Sequence, residues 1–227
     1  MNILALDSSD QIFSAALSTE SGVFCIEIDA GSRHSELIME SVDTLCKIAC
    51  LDRDSINMIA CMQGPGSFTG LRIGFSAAKG LSLALGIPLV SVPTLDCIAY
   101  PFSVWPGIVI PAMDAKKDCF FTSFYRKGER LTDFLDITSE KIATEAAKIR
   151  LSRDEALLIT GAGGELLFNS LSGFFTEIWL DPSFKRARAR ELIEISKTVN
   201  INEGNVFNSG PSYIRKSDAE INSIIKQ

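Results

Sequence analysis

Apolar residues in this chain fall into short runs separated by polar and glycine-bearing turns, and the runs switch between two periods. Residues 2–7 (NILALD) form an apolar run that ends in a carboxylate. After the polar turn Ser8-Ser9-Asp10-Gln11, residues 12–18 and 23–28 read as strands hinged at Ser21-Gly22, which predicts a three-stranded meander. Between residues 34 and 50 the spacing changes. Ile38, Val42, Leu45 and Ala49 recur at helical intervals and predict an amphipathic helix. Ser32 or Ser35 is its expected N-cap, and Glu36 suits its first turn. Residues 57–62 read as a buried strand. The turn Gly64-Pro65-Gly66-Ser67 leads into a second helix over 69–85, closed by Gly86 and Pro88, and residues 88–92 form a short strand.

A proline-bounded connector over 93–106 follows, and then the pattern restarts. Residues 108–113 are apolar and end in Asp114. Residues 119–125 and 130–136 read as the next strands, 139–150 as a helix, 157–160 as a strand before Gly161-Ala162-Gly163-Gly164, 176–180 as a strand and 186–199 as a helix. A β-β-β-α-β-α order therefore occurs twice, each copy opening on an apolar strand that ends in Asp. The expected organisation is an α/β protein of two related lobes, 1–100 and 101–227, with the end of the second packing back on the first.

Composition narrows the chemistry. Lys and Arg number 22 against 28 Asp and Glu, a net charge of −6, which disfavours a broad phosphate-binding face. The chain has one histidine, His34, and its six cysteines contain no C-x-x-C pair, so neither a zinc cluster nor a histidine-based nucleophile is supported. The start lacks a basic n-region, and the apolar stretch 71–85 carries Arg72 and Lys79 and is too short to span a bilayer. The expectation is a soluble cytoplasmic protein with reduced cysteines that behave as small buried hydrophobes.

Residues 64–74 (GPGSFTGLRIG) are the most distinctive segment. They fit neither a Walker A loop nor a dinucleotide fingerprint. The turn is either an anion site at a helix N-terminus or a structural turn with Thr69 as its cap. The helix that follows is apolar nearly all round and contains Gly70 and Gly74, so it is expected to be covered on two sides. Asp7 and Asp114 end equivalent strands. They suit either a magnesium–nucleotide cleft or ordinary turn chemistry. Lys116-Lys117 are the candidate phosphate ligands of the second turn, and Lys185, Arg186, Arg188 and Arg190 read as a solvated helix face.

Several segments together resemble the bacterial TsaB (YeaZ) family: ILALDSS at 3–9, His34-Ser35-Glu36, the 64–74 block, Lys79-Gly80-Leu81, Val92-Pro93-Thr94-Leu95, Asp114-Ala115 and Pro211-Ser212-Tyr213-Ile214-Arg215. The resemblance implies an ASKHA (actin-like ATPase, ribonuclease H-like) fold. It also implies a role in forming N6-threonylcarbamoyladenosine at position 37 of tRNAs reading codons that begin with A. The implied partners are a TsaD-like catalytic subunit, a TsaE-like ATPase, tRNA within the complex only, and a second copy of the chain. Catalytic relatives carry a His-x-x-x-His metal pair; here the positions are His34 and Ile38, so the metal site does not carry over. The implied partner face lies on the first two long helices, with His34, Ile38, Val42, Gly70, Leu71, Gly74 and Ala78 as its candidates. Asp7, Asp114, Gly161 and Gly163 mark a degenerate nucleotide cleft that leaves weak nucleotide binding open without requiring a cofactor. The alternative reading is an ASKHA-type ATPase or small-molecule phosphotransferase.

Overall fold

Every residue of β1 (Ile3–Asp7) is buried, because the strand is covered on both faces. In this computed structural model, which describes residues 1–199, 210–212 and 214, β1 is the central strand of a five-stranded sheet. β2 (Ile12–Thr19) and β3 (Gly22–Asp29) extend it as an antiparallel meander. α1 (His34–Ile48) leads to β4 (Met58–Gly64) and α2 (Phe68–Leu85) to β5 (Leu89–Pro93), both parallel to β1. The strand order is β3-β2-β1-β4-β5. After α3 (Thr94–Ala99), a second sheet repeats this arrangement. Its strands are β6 (Ile108–Asp114), β7 (Cys119–Thr122), a side hairpin of β8 (Tyr125–Arg126) and β9 (Glu129–Arg130), β10 (Leu135–Thr138), β11 (Leu157–Thr160) and β12 (Ile178–Leu180). The order β10-β7-β6-β11-β12 has the same antiparallel and parallel halves. The doubled pattern in the sequence is thus a doubled topology, the ribonuclease H-like arrangement of the actin-like fold.

Alternation along β1 sends Leu4 and Leu6 to the face covered by α1 and α2, and Ile3 and Ala5 to the opposite face. The second face is closed by α6 (Ala189–Ser196), through Ala189, Leu192 and Ile193. The chain therefore returns from the second sheet to finish the first. In the second sheet, α4 (Ser139–Ile149) and α5 (Gly164–Leu171) cover Ile108, Ile110, Leu157 and Ile159.

The structure differs from the sequence reading in five local places. The 93–106 connector contains α3, and α5 begins at the last of the glycines 161–164 and fills a stretch for which no element was expected. The strand expected over 119–125 breaks after Thr122, where Ser123 Oγ donates to the Thr132 carbonyl at 2.9 Å. Neither Ser32 nor Ser35 caps α1; its N-cap is Arg33, with no side-chain cap bond. Ser67, not Thr69, caps α2 by accepting from the Gly70 N–H at 3.2 Å.

The glycines of the 64–74 block allow α2 to lie against the turn that follows β1. A Cβ at Gly66 would sit 2.5 Å from the Ser9 carbonyl oxygen, and one at Gly70 would collide with the Ser8 carbonyl oxygen. One at Gly74 would meet Ser8 Oγ. The Ser8 hydroxyl donates to the Gly70 carbonyl at 2.8 Å, and the Ser67 N–H donates to the Ser9 carbonyl at 2.7 Å.

A buried polar network joins the two sheets. Asp7 Oδ1 accepts from the Ser9 N–H at 3.0 Å and the Ser9 hydroxyl at 2.6 Å, and its Oδ2 accepts from the Arg188 N–H at 2.8 Å. The Arg188 guanidinium lies 3.4 Å from Asp181 Oδ2, which also accepts from the Thr160 hydroxyl at 2.8 Å. Ser183 donates its N–H and its hydroxyl to Asp181 Oδ1, each at 2.8 Å. Arg188 is 5% exposed, which corrects its assignment to a solvated face; Lys185, Arg186 and Arg190 do lie on the surface. Arg188 turns inward because Asp181, at the end of β12, supplies its counter-charge.

Three outcomes follow from these contacts. Arg188→Ala leaves Asp181 buried beside a missing guanidinium and should cost about 3–5 kcal/mol in chemical denaturation. Gly70→Ala gains roughly 1 kcal/mol of helix propensity but forces α2 off the Ser8 carbonyl, so the melting temperature should fall rather than rise. Burial lifts the Asp7 carboxyl above the usual range, against the Ser9 hydroxyl and the N–H groups of Arg188 and Ser9 that favour its charged form. A raised acid binds its proton more tightly in the folded state, so its stabilising contribution is full below the ordinary Asp value and lost as pH rises through the raised one. Unfolding free energies across that interval should lose this downward slope in Asp7→Asn.

Candidate functional site

Two surfaces combine residues from separated parts of the chain. The first is a cleft of about 970 Å³ between the sheets. Asp10, His34, Ser67, Phe68 and Leu71 line one wall; Met113, Asp114, Lys116 and Phe121 line the other. Of the four candidate nucleotide residues, only Asp114 borders this space. Its carboxylate accepts from the Lys116 N–H at 2.7 Å and from Lys116 Nζ at 2.6 Å. Partial burial pushes the Asp114 carboxyl up, and the Lys116 contacts outweigh it and hold the group below the usual range. Asp7 faces Ser9 and the start of α6, with both carboxylate oxygens engaged. Gly161 and Gly163 serve backbone packing: a Cβ at Gly161 would lie 2.6 Å from the Ala112 carbonyl oxygen, and one at Gly163 would lie 2.8 Å from the Asp114 nitrogen. The cleft does not gather these residues into a metal–nucleotide constellation, since the strand-end acid of the first sheet is used internally. Among the described residues no three His, Cys, Asp or Glu side chains cluster as metal ligands.

The second surface is the outer side of α1 and α2. The seven residues expected to meet a partner do not form it. His34, Ile38, Val42, Leu71 and Ala78 are buried in this chain, and Gly70 and Gly74 face Ser8. His34 Nε2 donates to the Asp10 carbonyl at 2.8 Å and its ring meets Phe13 edge-on, with centroids 6.2 Å apart. The physical reason is the low contrast of α2. Its inward side is built of small residues as well as large ones, so the glycine spacing marks the seat on Ser8 rather than a partner. Exposed instead are Met39 and Ile48, which lie on opposite flanks of α1, and on α2 Phe68, beside the cleft, and Leu83, which points outward and is 70% exposed. Ser76, Gly80 and Ala84 lie exposed on α2 with Leu83, and a Cβ at Gly80 would meet nothing.

The remaining candidates are structural. Cys61 and Cys97 are buried in the core, and burial pushes the Cys61 thiol up to about 12, which suits inert packing. Cys25 and Cys50 are exposed, contrary to the expectation of uniformly buried cysteines. No helix among the described residues is long and apolar enough to cross a membrane. Tyr213 and Arg215 of the 211–215 motif lie outside the described residues.

Known proteins share this arrangement. The family profile described as "TsaD: tRNA N6-adenosine threonylcarbamoyltransferase" matches residues 27–200. The tRNA threonylcarbamoyladenosine biosynthesis protein TsaB of Bacillus subtilis (strain 168) is 30% identical over 154 residues, 62% of this chain and 67% of that protein. The Escherichia coli (strain K12) protein of the same name is 31% identical over 131 residues, and the match spans 57% of each chain. The solved structure of YeaZ from Pseudomonas aeruginosa superposes with a TM-score of 0.76 at 24% identity, covering 94% of this chain and 99% of that one. With a profile match across most of its length and several relatives of one name, the chain belongs to the TsaD-related family and, within it, to the TsaB (YeaZ) group.

Proposed function

We propose that this chain is a non-catalytic partner of a TsaD-like threonylcarbamoyltransferase. In this reading it is required for forming N6-threonylcarbamoyladenosine at position 37 of tRNAs that read codons beginning with A. The observation that carries the reading is the outer side of α2, where Leu83 stays exposed beside Ser76, Gly80 and Ala84 on a helix whose other side is packed in the core. Exposed apolar side chains grouped with small residues suit helix-on-helix association. The equivalent helices of the transferase are the proposed counterpart, and a second copy of this chain competes for the same face. A TsaE-like ATPase is the proposed third component, and tRNA is met only within the cytoplasmic assembly.

The chain supplies no transferase chemistry of its own in this reading. The position that would complete a histidine pair is Ile38, which lies in the core, and His34 is committed to the Asp10 carbonyl. An ATPase role is not favoured, because Asp7 is held by Ser9 and the Arg188 backbone instead of facing the cleft. The chain needs no cofactor, and any nucleotide in the cleft binds weakly.

Co-purification with the same organism's TsaD-like protein, followed by the tRNA modification assay with and without this chain, tests the proposal. Leu83→Glu should leave the melting temperature within a degree or two, since exposed substitutions usually change stability by less than about 0.5 kcal/mol. It should abolish co-purification and modification together. Wild-type complex formation by this variant, or full modification by the TsaD-like protein alone, would overturn the proposal.

A further inference from the structure

The 211–215 motif has no part in the helix-face reading, yet Ser212 contacts residues far from it in sequence, at the glycine turn that ends β4. The Ser212 N–H donates to the Gln63 carbonyl at 2.7 Å. Gly64 has φ of +109°, and a Cβ there would lie 2.5 Å from the Ser212 carbonyl oxygen and 3.3 Å from a Leu71 methyl carbon. Ser212 and Ile214 line the same cleft as Pro65, Gly66, Phe68 and Leu71. One backbone bond, one glycine without room for a side chain and an apolar seat for Ile214 therefore converge on a single segment.

From this convergence we infer that the cleft mouth beside the Gly64 turn is a docking site for the chain's own Ser212 and Ile214, which strap the turn in place over the buried Leu71. The main-chain bond fixes the register of the strap, as in the pairing of an extended segment with an exposed backbone edge. Ile214 adds apolar contact on the cleft side. Gly64 is the selective element: it accepts a left-handed conformation and leaves space for the Ser212 carbonyl, and any larger residue would evict the strap. Access to this end of the cleft is set from within the molecule, whatever surface α1 and α2 present to a partner.

Ser212 gives a paired test in the full-length chain. Ser212→Pro removes the N–H donor, whereas Ser212→Ala keeps it and removes only a solvent-facing hydroxyl. Ile214→Asp attacks the apolar seat without touching the backbone bond, and asks the same question if the proline variant does not fold. The readouts are amide hydrogen exchange over residues 63–71 and the fluorescence of an anilinonaphthalene sulfonate dye. Ser212→Pro and Ile214→Asp should each speed exchange over 63–71 by about tenfold or more and raise dye fluorescence severalfold, with exchange over 157–160 unchanged. Ser212→Ala should match wild type. Wild-type exchange and dye binding in both disruptive variants would overturn the inference, as would an effect of Ser212→Ala equal to that of Ser212→Pro.

Discussion

The carbonyl oxygens of Ser8 and Ser9 press against Gly70 in the first turn of α2 and Gly66 in the turn before it, and the other working parts of the molecule are arranged around that contact. A side chain at either glycine would lift the start of α2 away from the sheet. Because α2 sits this low, Leu71, Phe75 and Ala78 reach the core and the opposite side of the helix stands clear of it. The same contact fixes the turn after β1, and so turns the Asp7 carboxylate toward Ser9 and the returning chain at Arg188. A turn that binds phosphate presents free N–H groups to solvent. Here the Ser67 N–H is spent on Ser9, and the Gly70 N–H on Ser67.

Much of the architecture was legible in the sequence. Strand alternation and helical spacing located both sheets and the long helices, and the recurrence of an apolar strand ending in Asp revealed the doubling. What stayed hidden depended on contacts that the spacing of residues does not encode. Arg188 looked like one member of a basic run, because the residues between it and Asp181, seven positions earlier, follow no helical or strand period that would bring the two together in the interior. The facing of α2 was hidden for a different reason. Apolar and small residues occur on both sides of it, so periodicity alone could not tell the glycines that admit Ser8 from the one at Gly80 that faces outward. The short helices α3 and α5, six and eight residues long, carry too few turns for a period to stand out.

The network around Arg188 also bears on how such a two-lobed fold behaves. In a fold whose cleft closes on a ligand, the strand-end acids are left available and the lobes are joined loosely. Here the first of those acids is consumed by a backbone N–H from the start of α6, whose side chain in turn satisfies an acid of the second sheet. The lobes are thereby fastened by groups that belong to neither sheet's own interior. A helix face held at a fixed angle is a better platform for assembly than one that moves with a guest, which accords with the scaffold role we propose.

The return of α6 to the first sheet has a consequence for biosynthesis. Ala189, Leu192 and Ile193 cover Ile3, Ala5, Met58 and Ala60, and the bond between Arg188 and Asp7 closes a loop of 181 residues. The first lobe cannot complete its core when its own strands leave the ribosome. At about 5–20 residues per second, some 10–40 s separate the emergence of β1 from that of α6. During that interval one face of a finished-looking sheet is bare hydrocarbon. Nascent-chain protection, rather than the stability of the finished fold, is then the step at which this topology is most exposed to misassembly.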